Sequence, residues 1–296
     1  MVADPHNNYH GAVADEIEGL VTVYEDGHVE RAPVMPTVAA STSPLRGPGD
    51  VTWRDVTLCR VTGLWARLFV PDPDPDRAAA GEPPRLPVVV YFHGGGFCVG
   101  SAAWRCYHDF AARLAASAGC AVASVDYRLA PSTPSPPPTT TERRPSTRSS
   151  SAGRGSSPAV LRGAGEDGVG GVGGERGGAE LVDTQPGEIG RLLAAGAAAR
   201  VRPGVRDHPW CNPVGLGGAW RVRRLPRTLV CAAGMDVLRD RNVEFCAAMK
   251  SAGNCVESRV YAGVGHAFQL LGRSHVSKVR THEMLMHIRD FIWDTI

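Results

Sequence analysis

Polar and apolar positions alternate along the first quarter of the chain. Between Glu16 and Arg31 the run Leu20-Val21-Thr22-Val23-Tyr24, the pair Asp26-Gly27 and the run His28-Val29-Glu30 predict a β-hairpin. Ala32 to Asp50 is rich in Pro and Ser and reads as a linker. Val51–Leu58 and Leu64–Val70 alternate again and predict two antiparallel edge strands, followed by a polar loop over Asp72–Pro84. The pattern then changes. Val88-Val89-Val90-Tyr91-Phe92 is unbroken and apolar, as a strand buried on both faces requires. Tyr107, Phe110, Leu114 and Ala115 recur at helical spacing within Trp104–Ala118, and Cys120–Val125 is a second buried run. Strand, helix and strand in that order make a parallel crossover. Near the end, Arg227–Gly234 and Cys255–Tyr261 read as strands and Leu238–Ala252 as a helix. Val279, Met284, Leu285, Ile288, Phe291 and Ile292 form one stripe of a helix over Val276–Ile296. The whole predicts an α/β fold with a mostly parallel sheet, in a single domain over residues 1–296.

The middle does not follow any period. No Phe, Tyr or Trp occurs from Arg128 to Pro209, residues 132–158 are dominated by Pro, Ser, Thr and Arg, and residues 153–178 contain eleven glycines. Such composition buries too little apolar surface to offset chain entropy. Residues 132–205 are therefore expected to be irregular or disrupted, leaving a gap in the sheet between the strands ending near Val125 and Val230. Limited proteolysis is expected to cut first after Arg143, Arg148 or Arg162. Uniform resistance across the segment would contradict this.

With 296 residues, 43% hydrophobic content and a net charge of +2, bulk electrostatics points to neither a nucleic-acid nor a membrane partner. Isolated Arg-Gly sites such as Arg154-Gly155 and Arg176-Gly177 do not make an RNA-binding tract. Met1–Leu20 holds Asp4, Asp15, Glu16 and Glu18 and no apolar core, so no secretory signal is read there, and no run reaches membrane-spanning length. A soluble intracellular protein is expected, cytoplasmic and in part nuclear. The eight cysteines lack CxxC spacing and read as reduced, buried small hydrophobes. No HExxH or similar ligand spacing occurs, so neither metal nor cofactor is implied.

Three stretches carry chemistry. The Val88–Phe92 strand discharges into His93-Gly94-Gly95-Gly96, where bare backbone amides can face an oxygen that gains charge during acyl transfer. Asp236 lies just past a buried strand, where it could orient a histidine or cap the helix at Leu238–Ala252. His266 follows thirty residues later in Gly263-Val264-Gly265-His266-Ala267-Phe268, on a loop after the last strand.

HGGGF at His93–Phe97 followed by DYRLAP at Asp126–Pro131 resembles the hormone-sensitive-lipase-like branch of the α/β-hydrolases. EIEGLVTVYEDGHVER at 16–31, GLWARLFVP at 63–71 and HPWCNP at 208–213 resemble, more narrowly, the plant carboxylesterases, a group that includes the gibberellin receptors. The resemblance spans residues 12–131 and 206–296. It implies an α/β-hydrolase fold with helices on both faces of the sheet, and small carboxylic esters or a hormone-like molecule as ligand. His266 would be the general base, Asp236 its acidic partner, and Gly94 and Gly95 the oxyanion-hole donors. The oligomeric state is left open. The nucleophile elbow, G-x-S-x-G, belongs between the two blocks. By position it falls on Gly174-Glu175-Arg176-Gly177-Gly178, with Arg176 where serine is required; Ser151, in Ser151-Ala152-Gly153, has only the second half of the motif. A carboxylesterase-like hydrolase by descent is the main expectation. The alternatives are a non-catalytic small-ligand binder and an inactive esterase whose middle is read out of frame. In the last case the coding nucleotides, read in another frame, contain G-[DE]-S-A-G near codon 176.

Overall fold

The computed structural model describes residues 10–47, 49–72, 86–131, 160–161, 214 and 222–295. The hairpin forms where Asp26-Gly27 predicts it and gains a third strand. β1 (Val13–Ile17), β2 (Val21–Tyr24) and β3 (Val29–Arg31) make an antiparallel sheet in that order. A separate sheet of six strands contains β4 (Leu45–Gly47), β5 (Val51–Cys59), β6 (Leu64–Pro71), β7 (Val88–Phe92), β8 (Ala121–Asp126) and β9 (Val160–Leu161), in the spatial order β4-β5-β6-β8-β7-β9. β7 and β8 are parallel and joined through α1 (Arg105–Ala118), which is the predicted crossover.

Four expectations need correction. β5 and β6 are not edge strands, because β4, drawn from the Pro/Ser-rich stretch read as linker, covers β5, and β8 pairs antiparallel with β6. β7 is buried on one face only: Val89 and Tyr91 lie against the core, while Val88 and Phe92 are exposed. Among the described residues α1 and its neighbours cover just the first face. Within the segment expected to be irregular, Val160 and Leu161 form a strand on β7. The remainder of 132–205 lies outside the described residues. The cysteines also divide, with Cys98, Cys120 and Cys246 buried but Cys255 exposed.

β10 (Thr228–Ala233) and β11 (Val256–Tyr261) form a parallel pair of their own. Leu229, Cys231 and Ala233 face the main core, and Val230 and Ala232 face α2 (Arg239–Ser251), so helices lie on both sides of this pair. α3 (Phe268–Leu271) and α4 (His275–Trp293) complete the core. The Ser274 side chain accepts the Ser277 amide and starts α4, and of the predicted stripe Met284, Leu285, Ile288, Phe291 and Ile292 are buried while Val279 is exposed. Trp293 Nε1 donates to the Ala118 carbonyl at 2.8 Å, which ties α4 to the end of α1. Among the described residues no helix is long and apolar enough to cross a membrane.

One charge is fully enclosed. Arg67, in the middle of β6, has no exposed surface; its guanidinium grips both oxygens of Asp55 at 2.7 and 2.8 Å and lies 4.4 Å from the centre of the Trp53 ring. It also reaches the carbonyls of Val38 and Ala39, pinning the segment that precedes β4. Its Nη1 is 3.2 Å from Nδ1 of the buried His108, and since arginine can only donate, His108 accepts there as a neutral ring. Burial and the Arg67 charge push the His108 pKa down to about 4. An unfolded histidine takes its proton near pH 6.5. The unfolded chain therefore binds more protons between those values, and stability is expected to fall as pH drops from about 6.5 to about 4. Urea midpoints of His108→Gln should lose part of this slope; an unchanged slope would rule out the assignment.

Candidate active site

The Gly-rich loop leaves β7 in a backbone shape that few residues permit. Gly95 has φ 123°, where a Cβ would collide with the Val99 carbonyl, and at Gly100 (φ 111°) a Cβ would sit 2.5 Å from His93 Nδ1. The Gly95 carbonyl accepts the amides of Cys98 and Val99 at 3.1 and 3.0 Å. Phe97 adopts φ 63°, which costs an aromatic residue about 1–2 kcal/mol and persists only where the surroundings enforce it. The enforcing contacts are visible. The Ala130 amide donates to the Phe97 carbonyl at 2.9 Å, and Tyr127 stacks on His93 at 4.3 Å while its hydroxyl donates to the His93 carbonyl at 2.8 Å.

His93 itself closes the loop, with Nδ1 2.8 Å from the Gly94 carbonyl and so carrying the proton. Burial lowers its pKa, which keeps the ring neutral, and Nε2 is enclosed without a partner. Among the described residues, the Gly94 and Gly95 amides donate to no acceptor. They remain available to an oxygen from a ligand.

The second half of the site stands at the ends of β10 and β11. Gly234 N–H donates to the Tyr261 carbonyl and Met235 N–H to the Val264 carbonyl, which locks the two loops side by side. Asp236 meets His266 and holds the turn before α2, whose N-cap position is Leu238 and carries no side-chain cap. Oδ1 accepts the Leu238 amide at 2.9 Å, at the start of α2, and Oδ2 lies 2.9 Å from His266 Nδ1. A carboxylate only accepts, so Nδ1 carries the proton and Nε2 presents its lone pair. Burial alone would raise the Asp236 pKa; the hydrogen bonds from His266 and Leu238, with the charge His266 can carry, outweigh it and hold the carboxyl below its usual range. Val264 and Phe268, on either side of His266, belong to the same apolar core as Tyr91 of β7.

β9 pairs parallel with β7, Val160 opposite Val90 and Leu161 opposite Tyr91, on the side away from β8. After Leu161 no hydroxyl or thiol occurs until Thr184, and residues 162–184 lie outside the described residues. Ser151 and Arg176 lie outside the described residues. The short apolar run Ala159-Val160-Leu161 was the signal that could have located the strand, but among so many Pro, Ser and Gly residues it is too brief to stand out.

Residues 89–140 and 189–270 match the α/β-hydrolase fold family. The chain is 36% identical to probable carboxylesterase 6 of Arabidopsis thaliana over 329 aligned positions, covering 98% of this chain and 94% of the relative. It superposes on brefeldin A esterase, a bacterial homologue of human hormone-sensitive lipase, with a TM-score of 0.58 at 20% identity, covering 88% of this chain and 81% of the other. A hyperthermophilic esterase from the archaeon Pyrobaculum calidifontis gives 0.52 at 21% identity, over 81% and 83%. The fold is that of an α/β-hydrolase. The chain belongs to the plant carboxylesterase family.

Proposed function

We propose that the protein binds small carboxylic esters at a carboxylesterase-type site and hydrolyses them slowly, without forming an acyl-enzyme. The observation that carries this reading is the 2.9 Å contact between His266 Nδ1 and Asp236 Oδ2, which presents Nε2 as a base. With no hydroxyl or thiol in the sequence between Leu161 and Thr184, the attacking group is water. His266 Nε2 takes a proton from water as its oxygen adds to the ester carbonyl, and Asp236 balances the imidazolium charge. The oxyanion of the tetrahedral intermediate faces the Gly94 and Gly95 amides. Collapse breaks the bond to the alcohol, which leaves with the proton returned by His266.

A binder with no catalytic duty would need neither a base nor an acid to orient it, and the paired Asp236 and His266 favour the hydrolytic reading. The test is pre-steady-state hydrolysis of p-nitrophenyl acetate, together with a fluorophosphonate probe directed at activated serines. Linear product release without a burst and an unlabelled protein are expected. A stoichiometric burst or covalent labelling would overturn the water mechanism and send the search for a serine back to Ser151.

A further inference from the structure

The strained loop is gripped from outside by the N-terminal sheet. Arg31 is the last residue of β3, and its guanidinium donates from Nε to the Cys98 carbonyl and from Nη2 to the Ala130 carbonyl, each at 2.7 Å. One side chain thus joins three pieces of chain: the N-terminal sheet, the Gly-rich loop and the segment after β8. The setting is apolar, because Ile17, Leu20 and Val21 pack with Cys98, Val99 and Ala130 in a cluster separate from the main core. Half-buried, charge-assisted bonds of this kind are stronger and more directional than neutral ones. Both acceptors matter to the loop. Cys98 is the residue whose amide returns to the Gly95 carbonyl, and Ala130 is the residue whose amide holds Phe97 in its left-handed conformation. The fork therefore acts on the two contacts that fix the turn from Gly95 to Cys98.

We propose that Arg31 is a positioning residue for the oxyanion hole, keeping the Gly94 and Gly95 amides aimed at the carbonyl oxygen through its hold on Cys98 and Ala130. Its effect on rate rests on the ester-hydrolysis reading; its effect on the loop does not. Contacts to an oxyanion exist only once charge has developed, so weakening them lowers kcat and leaves KM nearly unchanged.

The experiment compares the full chain with Arg31→Met, Arg31→Lys and Tyr24→Phe, by amide hydrogen exchange and by hydrolysis of p-nitrophenyl acetate. Tyr24→Phe removes the hairpin's own hydrogen bond to Glu30 and touches nothing in the loop, so it reports on hairpin stability alone. Arg31→Met is expected to speed exchange across residues 94–100 at least tenfold with α4 unaffected, and to lower kcat about tenfold with KM within a factor of two. Arg31→Lys keeps the charge and one donor and should fall between, which also covers the case in which Arg31→Met fails to fold. Loop exchange equal to wild type in both Arg31 variants would overturn the proposal, as would Tyr24→Phe matching Arg31→Met. Faster loop exchange in a protein with no measurable hydrolysis would refute the ester reading and leave the clamp standing.

Discussion

His266→Ala is expected to reduce ester hydrolysis by about 10²–10³, towards the residual rate that binding and an oxyanion hole provide on their own. The argument is geometric. Nε2 is the free lone pair of a ring whose other nitrogen is held at 2.9 Å by Asp236, and both side chains are largely buried, so no other group described near the pair can substitute. Asp236→Asn should lose a comparable factor for a different reason. An amide can donate to Nδ1, which selects the other tautomer, so that Nε2 carries the proton and can no longer accept one. The Leu238 amide would still find an acceptor in the asparagine side chain, so the start of α2 should survive. The decisive measurement is kcat/KM of the two single variants and the double variant. Equal losses in all three mean that the residues act as one unit; losses that multiply, or a loss below threefold at His266, would remove the pair from the mechanism.

Much of this site was legible because its chemistry depends on short local patterns. An unbroken run of Val and aromatic residues ending in His-Gly-Gly-Gly can hardly fold otherwise than as a core strand opening into bare backbone. Asp236 and His266 each follow an alternating or apolar run at the distance two strands require. What escaped depends on contacts far apart in sequence. Nothing around Arg31 distinguishes it from an ordinary strand-end arginine, since its acceptors Cys98 and Ala130 lie in other segments. Arg67 shares its strand face with Phe69 and is enclosed only because Asp55, one strand away, meets it. β4 was hidden in a Pro/Ser-rich stretch, where pairing with β5 overrides weak local preference.

The middle of the chain is a different case. The alignment with the Arabidopsis relative runs over 329 positions against a chain of 296 residues, so the relative carries residues where this chain has none. Divergence under selection for a packed sheet keeps apolar periodicity, whereas a change of reading frame in GC-rich DNA scrambles it and enriches Gly, Arg, Ala and Pro. The coding nucleotides for 132–205 are therefore expected to encode, in another frame, an apolar strand followed by G-[DE]-S-A-G. Absence of that motif from both other frames would leave true divergence as the account.

Removing the counterion of the enclosed arginine should have the largest effect on stability. Asp55 takes both forks of Arg67, and its loss in Asp55→Ala leaves a guanidinium with no exposed surface facing two backbone carbonyls and a neutral His108. A cation cannot be held there uncompensated, and breaking a buried pair by removing one partner costs about 3–5 kcal/mol. That is a large part of the 5–15 kcal/mol typical of a folded protein. The double variant Asp55→Leu/Arg67→Met deletes the charge together with its partner and keeps comparable volume, so it should be more stable than Asp55→Ala despite carrying two changes. The remaining cost comes from the Val38 and Ala39 carbonyls and His108 Nδ1, which lose their donor, and from the Ser41 amide, which loses its acceptor. Urea unfolding with an unchanged m-value supplies the comparison. A loss below about 1 kcal/mol in Asp55→Ala, or a double variant weaker than the single one, would mean that Arg67 finds water or another partner and that the pair is not what closes this part of the core.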